Sequence, residues 1–158
     1  MPLNLSIKKG ERVVINGGVL SFSEPVKMSI HNKVAVMREG QLMRPEEANS
    51  PARRIYFAAQ SAYIADKGER PTYLKYLENY VNDFMEATTI PIVKDALARL
   101  MRAAYENEFY SALKVSRRLI EYEDTILPPE MRGSAAPLAN SGETSEATEE
   151  GANVTAGK

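Results

Sequence analysis

At 158 residues, with 26% charged and 44% hydrophobic residues and a formal net charge of -1, the chain has room for one domain with a real core and a tail. It has no cysteine and a single histidine, His31, which excludes disulfides, thiolate nucleophiles and zinc ribbons and leaves little for histidine-based catalysis. No apolar run reaches membrane-span length, and Met1 to Ile7 alternates instead of forming a charged-then-apolar leader, so a cytoplasmic protein without membrane association is expected.

The front of the chain reads as strand. Leu3, Leu5 and Ile7 alternate with polar neighbours, Lys8 to Glu11 makes a turn, and Arg12 to Ile15 is a β-branched run, so the two are expected to form a hairpin. Asn16-Gly17 is the dipeptide best suited to a tight hairpin turn, with Gly18 giving slack for a bulge before Val19 to Ser23. Val26, Met28 and Ile30 alternate again, His31-Asn32 turns the chain, and Val34 to Arg38 closes the set. The expectation is about five short strands in an antiparallel meander or small barrel. So few strands bury little surface, so either the helices of the same chain or a second copy, making a homo-oligomer, should cover them.

Helices follow. Ser50 before Pro51 is an N-cap followed by a preset φ, and Ile55, Ala58, Ala59, Ala62 and Tyr63 mark an apolar face that leaves Arg53, Arg54 and Gln60 to water or a partner. After a loop at Lys67 to Pro71, Leu74, Leu77, Val81 and Phe84 form the seam of a second helix. Thr88 or Thr89 is expected to cap a third, with Val93, Leu97, Leu100, Met101 and Ala104 on its apolar face. A polar break at Glu106 to Glu108 precedes a fourth, with Phe109, Leu113, Ser116, Leu119 and Ile120 as its stripe. The fold class is therefore α+β: a β-rich region over residues 1–44, an antiparallel bundle of about four helices over 45–124, and a disordered acidic tail over 125–158, rich in Gly, Ser, Thr, Ala and Glu.

No phosphate loop, nucleophile elbow, HExxH or metal-type carboxylate cluster occurs, so no enzyme, cofactor or metal is expected. Glu46-Glu47 and the group Glu121, Glu123 and Asp124 read as solvated surface. His31 reads as a turn residue. Charge is uneven, however. In the β-rich region Lys8, Lys9, Arg12, Lys27, Lys33, Arg38 and Arg44 outnumber Glu11, Glu24 and Glu39, a hint of an anionic partner. Lys8, Lys9, Arg12, Lys33 and Arg38 are the candidates to converge on one face for RNA; with Phe22 the only aromatic there, contact would run through phosphate charge and strand edges, not base stacking. All eight tyrosines lie in the helical half; Arg53, Arg54, Tyr76, Tyr80, Tyr105 and Tyr110 are the candidates for a partner surface, with Glu46 and Glu47 the expected local partners of the two arginines.

Three blocks, LSIKKGERVVING at Leu5 to Gly17, SPARRIYFAAQSAYI at Ser50 to Ile64 and ALKVSRRLIEYE at Ala112 to Glu123, together resemble the FlbT family of alphaproteobacterial flagellar regulators. That resemblance implies a post-transcriptional regulator that associates with the 5′ untranslated leader of flagellin mRNA and restrains its translation or stability, with the small protein FlaF acting in opposition. The β-rich block is also similar to the small all-β carbon storage regulators over about Leu3 to Arg38. The rival expectation is an adaptor whose helices hold flagellin or a FlaF-like partner, with indirect effects on RNA.

Overall fold

The computed structural model describes residues 1–126, divided between two compact units: residues 1–42, and the chain from residue 43 onward. The first contains five strands, β1 (Leu3–Ile7), β2 (Arg12–Ile15), β3 (Gly18–Ser21), β4 (Val26–Ile30) and β5 (Val36–Arg38), then a 3-10 turn at Glu39–Gln41. All pairings are antiparallel, in a two-stranded sheet β1-β4 and a three-stranded sheet β3-β2-β5.

The expected β1-β2 hairpin does not form. The Lys8 to Glu11 turn, closed by Glu11 N–H donating to the Lys8 carbonyl at 3.1 Å and opened by Gly10 at φ +75°, carries the chain from one sheet to the other. The physical reason lies in burial. With Leu3 opposite Ile30, Leu5 opposite Met28 and Ile7 opposite Val26, the inner face of β1-β4 meets Val13 and Val36 of the other sheet in one cluster. Pairing β1 with β2 instead would leave both apolar stripes in a ribbon with no opposing layer. Sheet on sheet thus covers one face of each sheet inside the unit, with Phe22, Val34 and Ile15 packed against the cluster. Val14 and its register partner Met37 are buried on the opposite face of the three-stranded sheet.

The β2-β3 turn follows the sequence closely. Asn16 and Gly17 take φ 48° and 85°, and Ile15 pairs directly with Gly18, so Gly18 joins the ladder and no bulge is needed. Asn16 also holds β5 in place, its N–H donating to the Ala35 carbonyl at 2.8 Å and its Oδ1 accepting from the Ala35 N–H at 2.9 Å.

The second unit opens with a 3-10 turn at Pro45–Glu47 and continues as α1 (Pro51–Ile64), α2 (Arg70–Ala87), α3 (Pro91–Tyr105) and α4 (Phe109–Ile126). Ser50, with φ -141°, caps α1 by accepting from the Arg53 N–H at 3.3 Å. Ala52, Ala58, Ala59 and Ala62 are all buried, and these small side chains let α2 and α4 both close on α1 while α3 packs on α4. Helix α1 is therefore enclosed nearly all round, and Arg53 and Gln60, expected to face water, are 1% and 4% exposed. The core adds Leu77 and Val81 of α2, Leu97 and Leu100 of α3, and Leu113 and Ile120 of α4. At the start of α3 the cap position is Ile90; the Thr88 hydroxyl accepts from the Ile90 N–H at 3.3 Å instead of capping the helix. The break before α4 turns on Asn107, at φ 61°. Thr125 and Ile126 complete α4, so the expected tail boundary moves, and the rest of that tail lies outside the described residues.

Candidate functional site

The basic residues of the β unit sort into two groups. Lys8 and Lys9 are exposed in the β1-β2 turn, and no carboxylate among the described residues pairs with them. Glu11, the acid of the same turn, is engaged elsewhere: its Oε2 accepts from the Lys8 N–H at 2.9 Å, and its carboxylate receives a fork from Arg38, Nε to Oε1 at 2.9 Å and Nη2 to Oε2 at 3.0 Å. Arg38 Nη2 also donates to the Ser6 carbonyl at 2.8 Å, stitching β5 to β1. Partial burial works to raise the Glu11 carboxyl, but the Lys8 N–H, the Arg38 fork and both positive charges outweigh it and hold it below its ordinary value. Arg38 is thus a structural residue of this corner, not a free cation.

Arg12 is exposed but reaches back to Glu39, with Nη2 2.7 Å and Nε 2.8 Å from Oε1; these bonds hold the Glu39 carboxyl below its ordinary value. Such an exposed pair contributes about 0–1 kcal/mol and can yield to a phosphate. Lys33 is exposed at the opposite end: Val36 pairs with Ile15 while Arg38 pairs with Val13, so the residues before β5 lie away from Arg12 and the Lys8 turn. The five basic candidates therefore do not share one patch. A further lysine joins instead. Lys27 is exposed and pairs in register with Ser6, on the outer face of β1-β4 beside the Lys8 turn. The alternation of Val26, Met28 and Ile30 carries that signal, since it turns Lys27 outward.

In the helical unit, the expectation for Arg53 is a partner surface beside Glu46 and Glu47. It is instead buried, and its partners come from the far end of the chain. Its Nη1 and Nη2 donate to Asp124 Oδ1 and Oδ2 at 2.9 and 3.0 Å, and Nη1 lies 3.6 Å from Glu123 Oε1. Glu123, itself 4% exposed, accepts the Ala52 N–H on Oε2 at 3.0 Å. A carboxylate at the start of α1 thus offsets the cation that the helix dipole disfavours there. Glu47 is also buried, accepting from the Arg44 N–H at 2.7 Å, so neither acidic group is simply solvated surface.

Arg54 is exposed and lines a groove of 520 Å³ with Pro51 of α1, Tyr80, Asp83, Phe84 and Ala87 of α2, Thr88, Thr89 and Ile90 of the next connection, and Tyr122 and Ile126 of α4. Tyr76 and Tyr105 are about half exposed; Tyr105 donates to Glu78, which raises its own pKa, and Tyr76 tilts against Tyr73. Tyr110 is half-buried against Tyr63, with Lys114 over its ring. Tyr76 and Tyr80 stand one turn apart on α2, and of the four tyrosines Tyr80 lines the groove with Arg54. Among the described residues no three His, Cys, Asp or Glu side chains cluster to hold a metal ion, and no helix is long and apolar enough to cross a membrane.

No solved structure matches the chain. Curated proteins do. The chain is 36% identical over 128 residues to the flagellum biosynthesis repressor protein FlbT of Caulobacter vibrioides, covering 80% of this chain and 90% of that one. It is 32% identical over 125 residues to a probable repressor of the same name from Allorhizobium ampelinum, covering 79% and 83%, and 33% identical over 139 residues to that of Rhizobium leguminosarum, covering 82% and 89%. The model of the family described as flagellar protein FlbT matches residues 3–127, both units included, and the chain belongs to that family.

Proposed function

We propose that this chain is a cytoplasmic repressor of flagellum biosynthesis that binds the 5′ untranslated leader of flagellin mRNA through the Lys8, Lys9 and Lys27 corner of the β unit. The observation that carries this reading is the contrast within that corner. Arg38 and Arg12 are held by carboxylates at salt-bridge distance, whereas the three ammonium groups project from a turn and an outer strand face and make no salt bridge among the described residues, Lys8 acting on Glu11 only from farther off. Phosphates are the polyanion such a corner suits, and Arg12 can exchange Glu39 for a phosphate at little cost. Repression then follows from occupying the leader. The relatives named above are called repressors of flagellum biosynthesis, which agrees with a regulatory, non-enzymatic role.

The test is binding to a flagellin leader RNA and to an unrelated RNA of equal length across a salt series. Lys8→Ala with Lys9→Ala should flatten the dependence of log K on log salt by about 0.7 for each single-strand phosphate that is no longer neutralised. An unchanged slope removes these lysines from the interface. Equal, weak binding to both RNAs favours the second reading, an adaptor for flagellin or a FlaF-like protein, for which the groove beside Arg54 and Tyr80 is the supporting observation.

A further inference from the structure

The groove lies where α1 begins and where α2 and α4 end, with half-buried Tyr80 and Phe84 inside it and exposed Ile90 and Ile126 at its rim. Two residues beyond Ile90, in the first turn of α3, Ile92 is 72% exposed, more than any other large apolar side chain of the described residues except Met1. A socket and an apolar knob thus sit side by side on one end of the helical unit. A two-fold axis can use that arrangement, since each copy can place its knob in the other's socket while receiving the same in return.

The charges fit the same pairing. The groove walls carry Arg54 on α1 and Asp83 on α2, and the knob is followed by exposed Lys94 and Asp95. None of these four has an ion-pair partner among the described residues. Socket and knob thus each carry one cation and one anion, so a two-fold contact offers Arg54 to Asp95 and Asp83 to Lys94. A net charge of -1 leaves copies with little mutual repulsion at a distance. We infer that the chain forms a homodimer through this end of the helical unit, with Ile92 of each copy seated in the groove of the other. Such a dimer is independent of the RNA binding proposed for the β unit.

The absence of cysteine gives the test a clean background. Full-length Ala87→Cys and Ile92→Cys proteins, one carrying a size tag, are mixed and oxidised; the mixture should give a disulfide-linked product of mixed size in much higher yield than either variant alone. By sedimentation the unmodified chain should dimerise across the micromolar range, and Ile92→Glu should weaken dimerisation at least tenfold while leaving the helical circular dichroism unchanged. Arg54→Asp should weaken it as well, and adding Asp95→Arg to the same chain should restore it. A chain that stays monomeric at about 100 µM, where even a weak interface assembles, overturns the inference. So does a dimer that Ile92→Glu leaves intact, or a mixture without the mixed disulfide.

Discussion

Arg53→Met is the substitution whose cost the structure defines best. Methionine keeps most of the volume of a side chain that is 1% exposed, so the change isolates charge and hydrogen bonding from packing. It deletes the fork to Asp124 and strands Glu123, which is buried and keeps only the Ala52 N–H. Removing one partner of a buried pair costs about 3–5 kcal/mol. The Asp124 side chain is 32% exposed and can take up water in place of Arg53, which lowers the expected loss to about 2–4 kcal/mol. With a urea dependence of about 2 kcal/mol per molar, the midpoint should fall by roughly 1–2 M. The assay is urea unfolding followed by circular dichroism at a helical wavelength, with the slope checked for constancy. Adding Glu123→Gln and Asp124→Asn to Arg53→Met should recover much of the loss, because the glutamine oxygen still accepts the Ala52 N–H and no buried charge remains. A single Arg53→Met variant within about 0.5 kcal/mol of the parent, the range of an ordinary surface change, would refute the reasoning.

Three further outcomes are expected. Gln60 bonds both backbone groups of Met43, accepting from its N–H at 2.8 Å and donating to its carbonyl at 2.9 Å; Gln60→Leu leaves both groups buried and unmet and should cost about 2–4 kcal/mol by the same urea assay. Because the Glu11 carboxyl is held below its ordinary value of 4.5, the stability it gives the β unit is complete above that pH and is lost as pH falls through its lowered value; Glu11→Gln should flatten the acid limb of a pH titration followed by amide exchange of β2 and β5. Gly17, at φ 85°, supplies a left-handed position, and Gly17→Ala should destabilise the β2-β3 hairpin by about 1 kcal/mol, read as faster amide exchange in β2.

Features set by neighbouring residues are legible from sequence. The Ser50-Pro51 start of α1, the Asn16-Gly17 turn and the apolar stripes of α3 and α4 each follow from spacing or from a local hydrogen bond, and each stands where expected. What spacing does not carry is the choice of partner. Alternation in Leu3 to Ile7 tells which side chains turn inward but not that β4 is the neighbour, because that choice depends on the opposing layer. Arg53, Gln60, Glu47 and Glu123 depart from expectation for a related reason. Polar residues are assigned to the surface by default, and only the fold brings Glu123 to Ala52 or Gln60 to Met43. Within the basic corner, sequence marks Lys8 and Lys9 but does not separate them from Arg38, whose charge the Glu11 carboxylate answers.

The hydrogen bond from Ala52 to Glu123, spanning 71 positions, also orders events during synthesis. Helix α1 emerges from the ribosome first, yet its buried arginine and one of its leading amides wait for the last turn of α4. Until that turn is made, the earliest helix of the unit carries a cation with no acid to receive it, and closing so long a loop is slow compared with forming the helices themselves. The helical unit therefore completes only when nearly the whole of it has been translated. A chain that ends a few residues short of Glu123 lacks both the acceptor for the Ala52 N–H and the acids that receive Arg53, so the contact that closes α1 is lost with a single turn.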